Sequence, residues 1–388
     1  MKRIPALVRS LLILTGLALA AACNSSNKKP EAPAKLEDFK ATAQVRKVWT
    51  ASVGGGEPKL RLGLGVALEG ERVFAAGYNG NIAAFNVTTG KRLWATDTKL
   101  PITGGPGAGA GLVVAGARFG ELVALDSATG ERKWLSRINS EILSAPLVTE
   151  QHVLVRTVDG RVSSFSIADG KLEWSAEQQV PRLSLRGAGV PAVTSEAVIA
   201  GFDNGRIMAL QQRNGDTIWE VTVAPPSGRS ELDRLVDIDS AVKTIGNDIY
   251  AVTFQGKVAR IDLETGQVQW SRDMSSYAGI ALDEDGLYVT SAQGSVVKIG
   301  RRTGVEMWKV DSLHNRRLSP PGVVGNLVAA ADLKGIVHFL DAATGTLAAR
   351  VSTSGDRVTA APVVSGDTIV FMDTNGKVSA LRVTAAAK

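Results

Sequence analysis

Residues 119–134 read FGELVALDSATGERKW, and this sixteen-residue pattern returns six more times along the chain. The copies are NGNIAAFNVTTGKRLW (79–94), DGRVSSFSIADGKLEW (159–174), NGRIMALQQRNGDTIW (204–219), QGKVARIDLETGQVQW (255–270), QGSVVKIGRRTGVEMW (293–308) and KGIVHFLDAATGTLAA (334–349). In each, a second glycine follows the first by ten residues, and in six copies a tryptophan lies four further on. Those positions, Trp94, Trp134, Trp174, Trp219, Trp270 and Trp308, take six of the seven tryptophans of the protein. A fixed period of about 40 residues is the mark of a repeat architecture.

Each copy reads as strands and turns. The first glycine closes a turn that needs positive φ, and a two-residue hairpin is the expected form. The run after it, such as LVALDS or VARIDL, is a strand, and the TG or DG pair makes the next turn. A short strand ending in tryptophan follows. Upstream lie a β-rich run such as HVLVRTV and a Pro-broken one such as APLVTE. Four short antiparallel strands per repeat predict an all-β chain, a β-propeller of four-stranded blades.

An eighth copy, NGKVSALRV (375–383), ends before its fourth strand, which would leave an open sheet edge. The missing strand is at the other end of the chain. QVRKVWT (44–50) carries Trp49 on the tryptophan position. The N-terminal strand is therefore expected to close an eight-bladed ring spanning 44–384, with residues 385–388 as a tail. All seven tryptophans, each burying about 150–250 Å², are expected to pack between blades.

The N-terminus adds a compartment. Lys2, Arg3 and Arg9 precede an uncharged run from Leu11 to Cys23, the pattern of an export signal, too short to span a bilayer. Cys23 is the single cysteine, so no intrachain disulfide can form. The segment resembles a bacterial lipoprotein box. That implies cleavage after residue 22, lipidation (palmitate included) of Cys23 and retention at the outer membrane, facing the periplasm. Ala20 stands where that pattern prefers leucine, which falls one earlier at Leu19. Residues 23–43 read as lipidated cysteine and flexible tether, about 21 residues reaching roughly 25 Å. Loss of the signal lowers the formal charge of +6 to about +3. With no basic run interleaved with aromatics, nucleic acid is not an expected partner.

The repeats AFNVTTGKRLW and ALDSATGERKW resemble those of propellers in the quinoprotein (PQQ) dehydrogenase superfamily. Dehydrogenases of that kind hold a quinone with calcium and, in many, a disulfide between adjacent cysteines. Here the one cysteine is assigned to the anchor, and His152, His314 and His338 lie in different repeats at no metal-ligand spacing. The acidic ALDEDG (281–286) lacks an EF-hand spacing. No nucleophile-elbow, zinc-protease or phosphate-loop motif occurs. The chain is expected to have no enzymatic activity, cofactor, metal or catalytic residue.

The repeat spacing breaks twice in succession. Between first glycines it runs 40, 40, 45, 51, 38, 41 and 41 residues. The excess lies in SAEQQVPRLSLRGAG (175–189) and EVTVAPPSGRSELDRLVDIDS (220–240). Both would link an outermost strand to the next blade's innermost strand, on one face of the ring, as one patch. Leu183 and Leu185 alternate about Ser184, and Asp237 and Asp239 flank Ile238. Two readings stay open at this point. In one, the leucines fold down and Arg186 pairs with the aspartates as a brace. In the other, exposed leucines and a charged rim grip a protein.

RLSLRG (182–187) and RLVDID (234–239) resemble loops of the BamB family of outer-membrane protein assembly factors. The resemblance implies a scaffold of the barrel-assembly (BAM) complex whose loops dock on the POTRA domains of BamA. It gives Leu183, Leu185 and Arg186 the contact, with Asp237 and Asp239 supporting or joining it. Other BAM lipoproteins and unfolded outer-membrane barrel precursors are further partners it allows. A quinoprotein-like enzyme and a glycan-binding propeller are the competing readings.

Overall fold

A computed structural model describes residues 31–55, 62, 64–187, 189–353 and 355–384. The export signal, Cys23 and residues 385–388 lie outside the described residues. Contacts divide the chain at Pro33, and the fold described here is that of Ala34 onward.

Among the described residues, thirty-two strands form eight four-stranded antiparallel sheets, as the repeats predict. Blade 1 runs outward from β2 (Val66–Glu69) through β3 (Arg72–Ala76) and β4 (Asn81–Asn86) to β5 (Arg92–Asp97). Blades 2 to 7 repeat that order at 102–137, 147–177, 192–222, 243–273, 279–310 and 322–352. The last blade takes β30 (Val363–Ser365), β31 (Thr368–Met372) and β32 (Lys377–Thr384), and its outer strand is β1 (Gln44–Ser52). Gln44 pairs with Thr384 and Ser52 with Lys377, so the chain's beginning closes its end.

The middle strands carry the core. Val73 to Ala76 and Ile82 to Phe85 are buried without interruption. A blade stands between two neighbours, so both faces of its middle strands are covered and the exposed half of a half-buried strand disappears. Outer strands alternate, as in RLWATD.

The tryptophan position is a joint between blades. Trp49 donates its indole N–H to the carbonyl of Val87 in the next blade at 2.8 Å, and Trp134 donates to Ile167 at 2.9 Å. The other five do the same to Ser127, Gln212, Leu263, Arg301 and Ala342. The receiving turn holds the second glycine of its repeat. A methyl group on Gly90 would come within 2.5 Å of the Trp49 ring, and one on Gly170 within 2.5 Å of the Trp134 ring. Each glycine also sits at φ near +70°. A side chain there would meet both a backbone penalty and a clash. Trp49, Trp134 and Trp174 are buried; Trp94, Trp219, Trp270 and Trp308 keep one edge in solvent. A bulge falls one residue before the tryptophan, as between Ala84 and Phe85 opposite Trp94 and Arg92, and re-aims the ring.

Two sequence expectations change in detail. The turns are longer than two-residue hairpins. Gly77–Gly80 is a four-residue link closed by the Gly80 N–H on the Gly77 carbonyl, and Gly90 N–H reaches back to Asn86. Stacked, twisted strands need that wider reversal, with Asn86 Oδ1 accepting the N–H groups of Thr88 and Thr89. Residues Ala34–Ala43, read as part of the tether, lie against blade 7: the Thr42 and Ala43 N–H groups donate to the Ala348 carbonyl.

Candidate functional site

The two long connections meet on one rim. One joins β13 (Leu172–Glu177) to β14 (Ala192–Val193); the other joins β17 (Thr217–Thr222) to β18 (Lys243–Ile245). Both are outer-to-inner links, so both lie on the face that also carries the Gly80-type turns. Pro181 denies the first link a strand, and Gly187 lets it cross the second. A methyl on Gly187 would lie 2.7 Å from the Asp239 carboxyl carbon.

The second link is mostly a floor. Leu235, Val236 and Ile238 are buried, and Ile238, buried completely, packs in one cluster with Val223 and Val242. Asp237 sits between them at 1 % exposure, and Asp239 is partly buried. Both carboxylates face the underside of the first link. Asp237 Oδ2 accepts the backbone N–H of Leu185, and Asp239 packs against Gly187. What stands above that floor is Leu183, 39 % exposed, with Arg182 and Arg186; Leu185 is half-buried.

Arg186 does not brace the aspartates. Its guanidinium donates to Glu141 Oε1 at 2.6 Å, from the link between blades 2 and 3. The aspartates face Arg156, which ends β11 (His152–Arg156) and is 1 % exposed. Arg156 pairs with Asp203 and lies 5.4 Å over the Phe202 ring. Its Nε and Nη1, with Asp237 Oδ1 and Asp239 Oδ1, have no hydrogen-bond partner among the described residues.

Three carboxyls around one guanidinium would leave two net negative charges in a poorly solvated place. Protons resolve the excess. Burial pushes Asp239 up to about 8, helped by the charges of Asp203 and Asp237. Burial pushes Asp237 up to about 6, against the Leu185 N–H that favours its ionised form. The arrangement can hold a loop and present an apolar knob between cations. It offers no nucleophile paired to a base, and no group of three or more potential metal ligands occurs among the described residues.

The five patch residues named from the sequence are thus brought together, in two layers. Glu141, Arg156, Asp203 and Leu232 were not foreseen. Leu232, 65 % exposed on the second link, extends the apolar surface of the rim. The one signal in the sequence was Arg156 itself, a charge closing the apolar strand HVLVR where the equivalent residues of the other repeats are uncharged. The histidines serve structure: His338 is fully buried against Asp332, and His152 pairs with Glu173 on the outer strand.

Comparison with known proteins agrees with the eight-bladed fold. The family model described as "Outer membrane protein assembly factor BamB" matches residues 78–310 and 278–387. An outer membrane protein assembly factor BamB from Pseudomonas aeruginosa is 39 % identical over 368 residues, covering 95 % of this chain and 97 % of that one. The crystal structure of BamB from Moraxella catarrhalis superposes with a TM-score of 0.80 at 27 % identity, over 87 % of this chain and all of that one. A quinohemoprotein alcohol dehydrogenase from Comamonas testosteroni shares the propeller, with a TM-score of 0.70 at 14 % identity, covering 89 % of this chain and 77 % of that one. The shared repeats, the eight closed blades and the full-length match together place this chain in the outer membrane protein assembly factor BamB family.

Proposed function

We propose that this chain is a non-catalytic scaffold lipoprotein of the barrel-assembly machinery. Lipid on Cys23 holds it to the periplasmic face of the outer membrane, and the rim loop 182–187 grips the POTRA domains of BamA. Leu183 is the apolar anchor, Arg182 and Arg186 are the charged flank, and Leu185 packs behind them. Asp237 and Asp239 set the loop's height from beneath. The observation that carries this reading is the exposed leucine on a loop whose underside is pinned at Leu185 and Gly187. A loop held in place loses less entropy when a partner arrives, so its contacts convert more fully into affinity.

The scaffold role, rather than catalysis, is supported by what the polar atoms of the rim are used for. Asp237 holds a backbone N–H, Arg156 holds Asp203, and Arg186 holds Glu141. Contact with other lipoproteins of the machinery and with unfolded barrel precursors would use the rest of the rims.

Purification of the lipoprotein from membranes tests the grip. Leu183→Asp and Arg186→Ala are each expected to lower BamA recovery about tenfold or more, the effect of losing a hot-spot residue. Melting should stay within about 2 °C, because an exposed leucine and an exposed ion pair add little to folding. Unchanged recovery, or a collapse in melting, contradicts the assignment.

A further inference from the structure

Blade 7 is the one complete repeat without its tryptophan: Ala349 stands there. The joint explains the exception. A tryptophan on blade 7 would need the glycine turn of blade 8 to rest against, and blade 8 has none, because its outer strand comes from the other end of the chain. Ala348 and Ala349 are buried instead, in a cluster that includes Ala43 and Val45 of the incoming chain.

Upstream of Ala43 the chain stays on the protein. It runs back along β29 (Leu347–Ser352) toward the link between blades 6 and 7. Ala34 N–H donates to the His314 carbonyl at 2.9 Å, and Arg316 Nη1 donates to the Ala34 carbonyl at 2.8 Å. Arg350 Nη1 donates to the Glu37 carbonyl at 3.0 Å, and its guanidinium lies 5.0 Å over the Phe39 ring. Leu36 packs on the cluster that holds Leu313 and Leu318.

The two arginines are joined beneath this segment. Arg316 Nε donates to Asp332 Oδ2 at 2.6 Å, His338 Nε2 lies 3.1 Å from the same oxygen, and Arg350 Nε donates to His338 Nδ1 at 3.4 Å. Arg350 can only donate, so Nδ1 accepts and Nε2 carries the proton that goes to Asp332. Burial holds His338 below its usual range and therefore neutral, while its hydrogen bond and those from Arg316 and two backbone N–H groups keep Asp332 ionised. Arg316, Asp332 and His338 are all buried. A buried arginine and a buried aspartate at this depth are costly unless their hydrogen bonds are used, and one bond of Arg316 is taken by the backbone carbonyl at 34.

We propose that Ala34–Ala43 is a docked strap and that Arg316, Asp332, His338 and Arg350 form its built-in receptor. Docking fixes where the covalent chain leaves the propeller: at Ala34, on the outer-to-inner rim that also carries loop 182–187. Taken with the reading of Cys23 as the anchor, 11 residues, 23–33, stand between the anchor and the docked strap.

Limited trypsin digestion of the purified mature chain, with mass analysis of the products, reads the docking. Lys35 and Lys40 lie inside the strap. In the wild type, cleavage after them should be about tenfold or more slower than in a Phe39→Ala, Arg350→Ala variant, since proteolysis follows the population of the open state. Tryptophan fluorescence and melting report the propeller separately; Phe39→Ala alone, which leaves the buried network untouched, should give an intermediate rate. Equal rates at Lys35 and Lys40 in wild type and both variants overturn the proposal. The digestion is blind to lipid, so its failure would leave the anchor reading standing, and an unlipidated Cys23 would leave the docking intact.

Discussion

Asp239 keeps its proton in the folded chain up to about pH 8, whereas an unfolded aspartate releases it near 3.8. Folding therefore takes up a proton across that interval. Stability from this group is complete below about pH 4, falls as pH rises toward 8 and levels off above. Asp237 adds to the decline up to about pH 6. Asp239→Asn, which mimics the protonated acid at all pH values, should lessen the loss of stability between about pH 5 and pH 9 by on the order of 1–3 kcal/mol, corresponding to one or two pKa units. Denaturant unfolding at a series of pH values checks this, and parallel profiles for the two proteins would refute it.

At the scale of the element, one blade rests on the next through a tryptophan and a glycine. Trp134→Ala should cost on the order of 3–5 kcal/mol, the usual loss for a large buried aromatic. Gly170→Ala should cost about 1–3 kcal/mol from the other side of the same joint, through clash and positive φ. Because both break one contact, the double variant should cost clearly less than their sum, and urea unfolding of the cycle measures it. Full additivity would mean the ring and the turn do not meet. This joint was legible because its parts are fixed by local chemistry: a turn that needs positive φ, and an indole at constant distance from it in six of the seven complete copies. The polar floor was not. Arg186 meets Glu141 from 45 residues away and Arg156 meets Asp203 from 47, across blades whose relative rotation no local pattern encodes. The strap was hidden for a different reason. KLEDFKATA has the composition of a linker, and its contacts with the propeller rest on Leu36, Phe39 and Ala43.

For the whole molecule the ring is closed by nine residues of β1, and everything on the rim depends on that closure. A chain beginning at residue 34 should melt with the full-length protein to within about 2 °C, whereas one beginning at residue 53 loses Trp49, exposes the length of β32 and should aggregate or melt far lower. Scanning calorimetry of the two truncations distinguishes a sealed ring from an open one. The closed ring also sets two rims apart: loop 182–187 is on one, and the turn that holds Asn214 is on the other side of the same blade. A photo-reactive residue placed at Leu183, and in a second strain at Asn214, tests the grip on BamA in intact cells. A cross-link to the POTRA region of BamA is expected from position 183 and none from position 214. A cross-link from position 214 with none from 183 would contradict it.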